Sequence, residues 1–327
     1  MQKLVEDFPK QLEEALKIGK SAVLSDAGKP IHNVLISGLG GSGISGTIIS
    51  EFGFDSSPVP VSVTKGYFIP AFVNENSLVI ISSYSGNTEE TLACMEQAIA
   101  KKAHVICITS GGKVAELAKQ YQLDHILIPG GMPPRSCLGY SLVQQVFIFV
   151  KHKLLPSSAI QALENAITLL KNEQASIRSQ AESLAKKLHG RTPVIYCTTN
   201  YEGVAIRFRQ QLNENSKVLC WHHVIPEMNH NELVGWAGGN EEISVVLFND
   251  PDEYERNTYR IAINKEIISK FTPHFTEISA KGKSLIEKSI YLIHLGDWAS
   301  VYLANLRGVD AVEVNVINFL KGELSKK

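Results

Sequence analysis

The sequence predicts an α/β fold of two doubly wound parallel sheets, and three observations lead there. Short apolar runs such as Leu78-Val79-Ile80-Ile81 alternate with amphipathic stretches along the chain, the pattern of buried strands joined by helices. The loops from each run to the helix after it are short, as in parallel βαβ units. The 327 residues are too many for one ordinary core, and the strand-helix pattern restarts at Val194. Two domains are therefore expected, residues 1–153 and 154–327. Their junction is placed at 150–157, where Pro156 and Ser157-Ser158 follow a helix.

Taken in order, residues 3–25 read as a helix with Leu4, Phe8, Leu12 and Leu16 on one face. Val34-Leu35-Ile36 is a buried strand, Gly38 to Gly43 a glycine loop, and a short helix runs to about Phe52. Strands follow at Val59–Val63 and at Leu78–Ile81, the latter leading through a hydroxyl-rich loop into a helix with Leu92, Met95, Ala98 and Ile99 at helical spacing. Val105–Ile108 and His125–Ile128 complete the first set, with helices at 113–120 and 136–152. Ile160 to Leu188 has no strand character and reads as one long connecting helix. The second set has strands at Val194–Cys197, Val218–Cys220, Ile243–Leu247 and Phe275–Ile278, with helices at 203–212, 253–270 and 285–306. In such sheets the ligand sits at the C-terminal ends of the strands.

Hydrophobic residues make up 44% and charged residues 20% of the chain, the balance of a soluble globular enzyme or binding protein. A net charge of −1 leaves no basic surface for nucleic acid, so an anionic ligand must be held by local groups. The cysteines Cys94, Cys107, Cys137, Cys197 and Cys220 are odd in number, scattered and without a C-x-x-C pair, and read as reduced core thiols of a cytoplasmic protein. Acids interrupt the first eight residues where a signal peptide needs apolar ones, and no later run reaches membrane-spanning length. Neither export nor a membrane partner is expected.

The most informative segment is Ser82-Ser83-Tyr84-Ser85-Gly86-Asn87-Thr88-Glu89-Glu90-Thr91. It enters a helix, so free backbone N–H groups and the positive end of the dipole meet the hydroxyls of Ser83, Ser85 and Thr88, a cradle suited to phosphate. Gly38-Leu39-Gly40-Gly41-Ser42-Gly43 also follows a strand and satisfies G-x-G-x-x-G. A dinucleotide site needs an acid about 20 residues on, at the end of the next strand. That strand ends Val63-Thr64-Lys65, without one. A purely structural turn is the other alternative. The reading adopted is that the Gly41-Ser42 backbone approaches the phosphate of a phosphosugar.

Gly40-Gly41-Ser42-Gly43 followed by Tyr84-Ser85-Gly86-Asn87-Thr88-Glu89-Glu90-Thr91 resembles the sugar isomerase (SIS) domain, which is flavodoxin-like. Pro134-Arg135-Ser136, Asn213-Glu214-Asn215-Ser216-Lys217 and Pro226-Glu227-Met228-Asn229-His230-Asn231-Glu232 narrow the resemblance to the bifunctional phosphoglucose/phosphomannose isomerase family, across both halves. The resemblance implies interconversion of glucose 6-phosphate, and of mannose 6-phosphate, with fructose 6-phosphate through an enediol, without metal or organic cofactor, in a homodimer whose His230 enters the neighbouring cleft. It casts Glu214 as the base between C1 and C2, His230 as the ring-opening group, Arg135 as the cation offsetting enediolate charge, and Lys321, in Phe319-Leu320-Lys321, as a lysine reaching the substrate. The stretch Asp310–Asn315 has no threonine or glutamine, and the hydroxyl that the family uses in sugar selection has no counterpart there, so the glucose reaction is the better supported of the two.

Each role has a plainer counterpart. Glu214 alone would read as a solvated helix-end carboxylate, His230 as a hydrogen-bonded structural histidine, and Arg135, stiffened by Pro133-Pro134, as a structural partner of phosphate or carboxylate. His222, His223, Glu227, His230 and Glu232 raise the question of zinc, but their spacing matches neither a finger nor H-E-x-x-H. Sixteen residues separate Glu214 from His230, enough chain for a strand and a turn back into one cleft. Two rival functions remain beside the isomerase: a non-catalytic phosphosugar sensor, which needs neither Glu214 nor His230, and an isomerase of another phosphosugar or aminosugar.

Overall fold

The computed structural model describes residues 1–326. Its first half comprises helices α1 (Gln2–Glu6) and α2 (Phe8–Ser21), then β1 (Asn33–Ser37), α3 (Gly40–Phe52), β2 (Val61–Thr64), β3 (Ser77–Ser83), α4 (Glu89–Ala100), β4 (His104–Thr109), α5 (Gly112–Gln120), β5 (Asp124–Leu127) and α6 (Leu138–Lys151). The second half holds α7 (Ser158–Asn172), α8 (Gln174–Leu188), β6 (Thr192–Thr198), α9 (Glu202–Glu214), β7 (Trp221–Ile225), α10 (Glu232–Gly235), β8 (Ile243–Asn249), α11 (Glu255–Ile268), β9 (Phe275–Ser279), α12 (Leu285–Arg307) and α13 (Asn315–Leu324). The strands form two sheets, in the orders β2-β1-β3-β4-β5 and β7-β6-β8-β9, and every pairing is parallel.

Both faces of the first sheet are covered, which is why β3 is buried at all seven positions and reads as one apolar run. Val34, Ile36, Leu78 and Ile80 point to the side of α3 and α6, while Leu35, Val79 and Ile81 point to that of α4 and α5. The larger cluster does not stop at the first sheet. It continues through α7 and α8 to Ile195, Phe248 and the apolar length of α12, so the two halves share a core that was expected to be separate. All five cysteines are free thiols, four of them buried. No helix among the described residues is long and apolar enough to cross a membrane.

Three elements differ from the sequence reading. The first helix is two, meeting at Asp7, with Pro9 placed in the first turn of α2 where its missing N–H costs no bond. The long connector is also two, parted at Glu173, whose carboxylate pairs with Lys281 at 2.5 Å. The triplet Val218-Leu219-Cys220 is not a strand. Val218 N–H returns to Leu212 O at 3.1 Å to finish α9 and Leu219 is 89% exposed, while the strand itself is the more polar edge segment β7.

The halves meet where α3 packs on α9, and a buried carboxyl sits there. Glu51 accepts the Gly203 N–H at 2.6 Å. Burial, with the negative charge of Glu202 adding to it and the Gly203 bond opposing, pushes its pKa up to about 9 from the ordinary 4.5. The folded protein therefore holds a proton that the unfolded chain releases, and this group's contribution to stability falls as pH rises from 4.5 toward 9. Glu51→Gln is expected to raise the unfolding temperature by a few degrees at about pH 8, with the gain shrinking to nothing toward pH 4.5. Thermal melts of both proteins across that range measure it.

Candidate active site

At the end of β3 the chain turns through Gly86, whose φ of +70° and lack of a side chain are both required: a Cβ there would stand 1.8 Å from Gly111 O. Ser83 Oγ donates to Thr88 Oγ1 at 3.2 Å, and Asn87 N–H donates to Ser85 Oγ at 3.3 Å. Thr88 and Ser85 thus act as acceptors within the loop and keep their own O–H free for a ligand. Thr88 is the N-cap of α4, but no side chain caps that helix, so its first-turn N–H groups are open to an anion.

The glycine loop forms the second wall. Ser42 N–H donates to Leu39 O and Ser42 Oγ accepts the Tyr84 N–H, both at 3.1 Å, so this serine fastens the start of α3 to the hydroxyl loop. Of the expected Gly41-Ser42 backbone pair, the serine N–H is engaged and Gly41 keeps the open one. Gly41 also lies against the next wall, since a Cβ on it would stand 2.9 Å from Pro134 O. Replacing either cradle hydroxyl, Ser85→Ala or Thr88→Ala, removes a neutral donor to a charged oxygen and is expected to weaken sugar-phosphate binding by roughly 1.5–3 kcal/mol. Titration calorimetry with a hexose 6-phosphate reads the loss, and unchanged affinity in both variants would place the phosphate elsewhere.

Arg135 stands in a short 3-10 turn, Pro134–Ser136, and is 4% exposed. Its Nε donates to Asn215 Oδ1 at 2.8 Å, and its Nη2 donates to Ala311 O at 2.6 Å and Val312 O at 3.1 Å. Nη1 faces Glu214 Oε2 at 3.4 Å. Burial lowers the Arg135 pKa and the Glu214 carboxylate partly opposes this, but a guanidinium stays charged. A second buried cation, Arg207, donates from Nη2 to the Arg135 carbonyl at 2.6 Å and pairs with Asp297 at 2.8 Å. Glu214, the last residue of α9, opens onto a cleft of about 490 Å³ that Lys217, Val314 and Ile317 also line. Cradle, arginine and carboxylate are thus contiguous within one protomer.

Residues 177–324 match the family model of the bacterial phospho-glucose isomerase C-terminal SIS domain. The bifunctional phosphoglucose/phosphomannose isomerase of Caldicellulosiruptor bescii is 36% identical to this chain over 98% of both proteins. That of Thermoplasma acidophilum is 38% identical over 96% of this chain and 98% of its own. The chain belongs to the bifunctional phosphoglucose/phosphomannose isomerase family. Among solved structures, the C-terminal domain of glucosamine-fructose-6-phosphate aminotransferase from Francisella tularensis superposes with a TM-score of 0.78 at 16% identity. It covers 96% of this chain and 98% of that one, a likeness of fold.

Within one copy of this phosphoglucose/phosphomannose isomerase relative, one of the expected site residues, His230, stands apart from Glu214. The sixteen residues from Glu214 to His230 do not turn back into one cleft. Helix α9 runs back along the sheet from the end of β6, so Glu214 lies at the edge where the parallel strands begin. The five residues of β7 then carry the chain about 16 Å to the opposite edge, where His230 is exposed at the end of the 3-10 turn Glu227–His230. Lys321 is exposed on α13, four residues beyond Ile317 of the same helix, which lines the Glu214 cleft. Among the described residues, no three His, Cys, Asp or Glu side chains form a group able to hold a metal ion.

Three participants escaped the sequence reading. Asn215 is fully buried, orienting Arg135 through Oδ1 while its Nδ2 donates to Ser300 Oγ at 2.9 Å. Arg207 supports the Arg135 backbone, and Lys217 joins the end of α9 to the C-terminal segment. Asn215 and Lys217 stand in the motif that singled out Glu214, so their types and positions were the available signal. Nothing in the sequence pointed to Arg207.

Proposed function

We propose that this chain catalyses aldose–ketose isomerisation of hexose 6-phosphates, converting glucose 6-phosphate, and mannose 6-phosphate, to fructose 6-phosphate. The observation that carries the reading is the contiguity of an open phosphate cradle, a buried arginine and a half-buried glutamate in one protomer, with Nη1 of the arginine facing the carboxylate at 3.4 Å. A sensor of phosphosugars would need only the first of the three.

The chemistry follows from what each group has left to give. The cradle holds the phosphate through Thr88, Ser85, Gly41 and the first turn of α4, leaving the sugar's other end toward Arg135 and Glu214. Glu214 takes the proton from C2 of the aldose and returns it to C1 of the enediol. Of the guanidinium's five N–H groups, those on Nε and Nη2 are held by Asn215 and two carbonyls, so Nη1 is the donor available to the enediolate oxygen. Its anchoring is what gives it a fixed aim. Opening of the pyranose ring needs a group that gives and takes a proton near neutrality, which suits a histidine. His230, too far from its own Glu214, is assigned to the cleft of a second copy in a homodimer, the commonest closed assembly of soluble proteins. The five free thiols fit a reducing cytoplasm.

A coupled assay of fructose 6-phosphate formation from each hexose 6-phosphate, with and without a chelator, tests the reading. Turnover of glucose 6-phosphate that the chelator leaves unchanged is expected. Tight binding of both sugars without turnover would favour a sensor, and turnover of an aminosugar phosphate alone would change the substrate.

A further inference from the structure

Helix α9 ends in the left-handed reversal that also closes α4, α5 and α6, where Lys102, Gln122 and Lys153 stand at φ of +58°, +53° and +58°. Ser216 and Val218 both return their N–H groups to Leu212 O, at 3.2 and 3.1 Å, a reversal that places Lys217 at a φ of +56°. That position is filled by glycine, or less often asparagine, in most such turns, because a side chain is disfavoured there. What distinguishes Lys217 from Lys102 and Lys153 is the pair of bonds its amine makes. Lys217 Nζ donates to Glu214 O at 2.6 Å and to Glu313 O at 2.7 Å. The first bond closes the end of the helix that carries Glu214, and the second reaches across the cleft to the segment after α12.

That segment is held in a consistent manner. The carbonyls of Ala311 and Val312 are taken by Arg135 Nη2 and that of Glu313 by Lys217, so three successive peptide groups are bound by the two cations that flank Glu214. All three are backbone contacts and leave no mark in the side-chain sequence. Beyond the segment, α13 buries nothing of its own, so its position depends on this attachment.

We propose that Lys217 is a positioning residue that locks the C-terminal strap, residues 310–314, over the Glu214 cleft and thereby sets the place of α13. Ordering of the strap and placement of the Glu214 carboxylate are joined through one side chain. The kinetic part of this rests on the reading of Glu214 as the proton-transfer base, and the conformational part does not.

The variants are Lys217→Met, which keeps the stem and removes the charge and donors, and Lys217→Arg, which keeps both. Limited trypsin digestion followed by mass spectrometry reads cleavage after Arg307 and Lys321, and thermal melts confirm the folded state. Lys217→Met is expected to be cut about tenfold faster at these two sites, with cleavage elsewhere unchanged, and to lose roughly tenfold in kcat while KM for the sugar phosphate moves less than threefold. Lys217→Arg should recover most of both. Glu214→Gln serves as the separate control, with kcat lost and the cleavage rate of the wild type. If Lys217→Met is globally destabilised, Lys217→Gln, which retains a neutral donor, should show the same pattern at smaller size. Wild-type cleavage and kcat in folded Lys217→Met would overturn the proposal, as would equal losses in Lys217→Arg. Faster cleavage with an inactive wild type would instead leave the strap lock standing and remove the isomerase reading.

Discussion

Glu214→Gln is expected to lose about two or more decades of turnover while keeping its affinity for hexose 6-phosphates. The amide preserves the size of the side chain and a partner for Arg135 Nη1, which stands 3.4 Å from the carboxylate, but it has no lone pair basic enough to take the proton from C2. In the proposed arrangement the phosphate is held by a different wall of the site, so binding and chemistry should separate in this variant. Steady-state kinetics beside calorimetric titration measure the two. In heavy water the folded variant should also fail to exchange the C2 proton of glucose 6-phosphate. Exchange at the wild-type rate would move the base to another residue.

The second large effect concerns stability. Arg207 and Asp297 are both nearly fully buried and pair at 2.8 Å, and the same guanidinium supports the Arg135 carbonyl at 2.6 Å. Arg207→Leu leaves an aspartate without its counter-ion in the shared core and removes the brace under the Arg135 turn. A loss of about 3–5 kcal/mol is expected from breaking one side of such a pair. Replacing both partners together with apolar residues should recover much of it, because no charge is then left buried alone. Urea unfolding of the single and double variants checks this, and the double variant should still show lowered activity through the unsupported arginine.

Much of the fold was legible because parallel strands covered on both faces must be apolar along their whole length, as β3 is. The strand that was misplaced is the exception that proves the physical point. Segment β7 lies at the edge of its sheet and carries Trp221, His222 and His223, while the more apolar Val218-Leu219-Cys220 belongs to the end of α9. The break at Glu173 was hidden for a different reason, since neither glycine nor proline marks it. In the site, the loop of Ser83, Ser85 and Thr88 was legible as a helix entry dense in hydroxyls, and Glu214 and Arg135 through their motifs. The direction in which β7 carries His230 was not, because spacing along a chain records distance but not heading. The strap contacts were out of reach altogether, being made by carbonyls that every residue possesses.

That heading is the ground for proposing a site completed by two chains, and mixing two inactive proteins tests it. Glu214→Gln and His230→Ala homodimers are each expected to be nearly inactive. In a mixed dimer one of the two clefts combines an intact Glu214 with an intact His230 from the other subunit, while the second cleft lacks both. Activity should therefore return on subunit exchange, approaching one quarter of the wild-type value for an equal and fully exchanged mixture, since half the dimers are mixed and each has one working cleft of two. Subunit exchange is verified independently with a size-tagged variant. Absence of any recovery, with mixed dimers demonstrated, would mean that Glu214 and His230 do not serve one site from different chains.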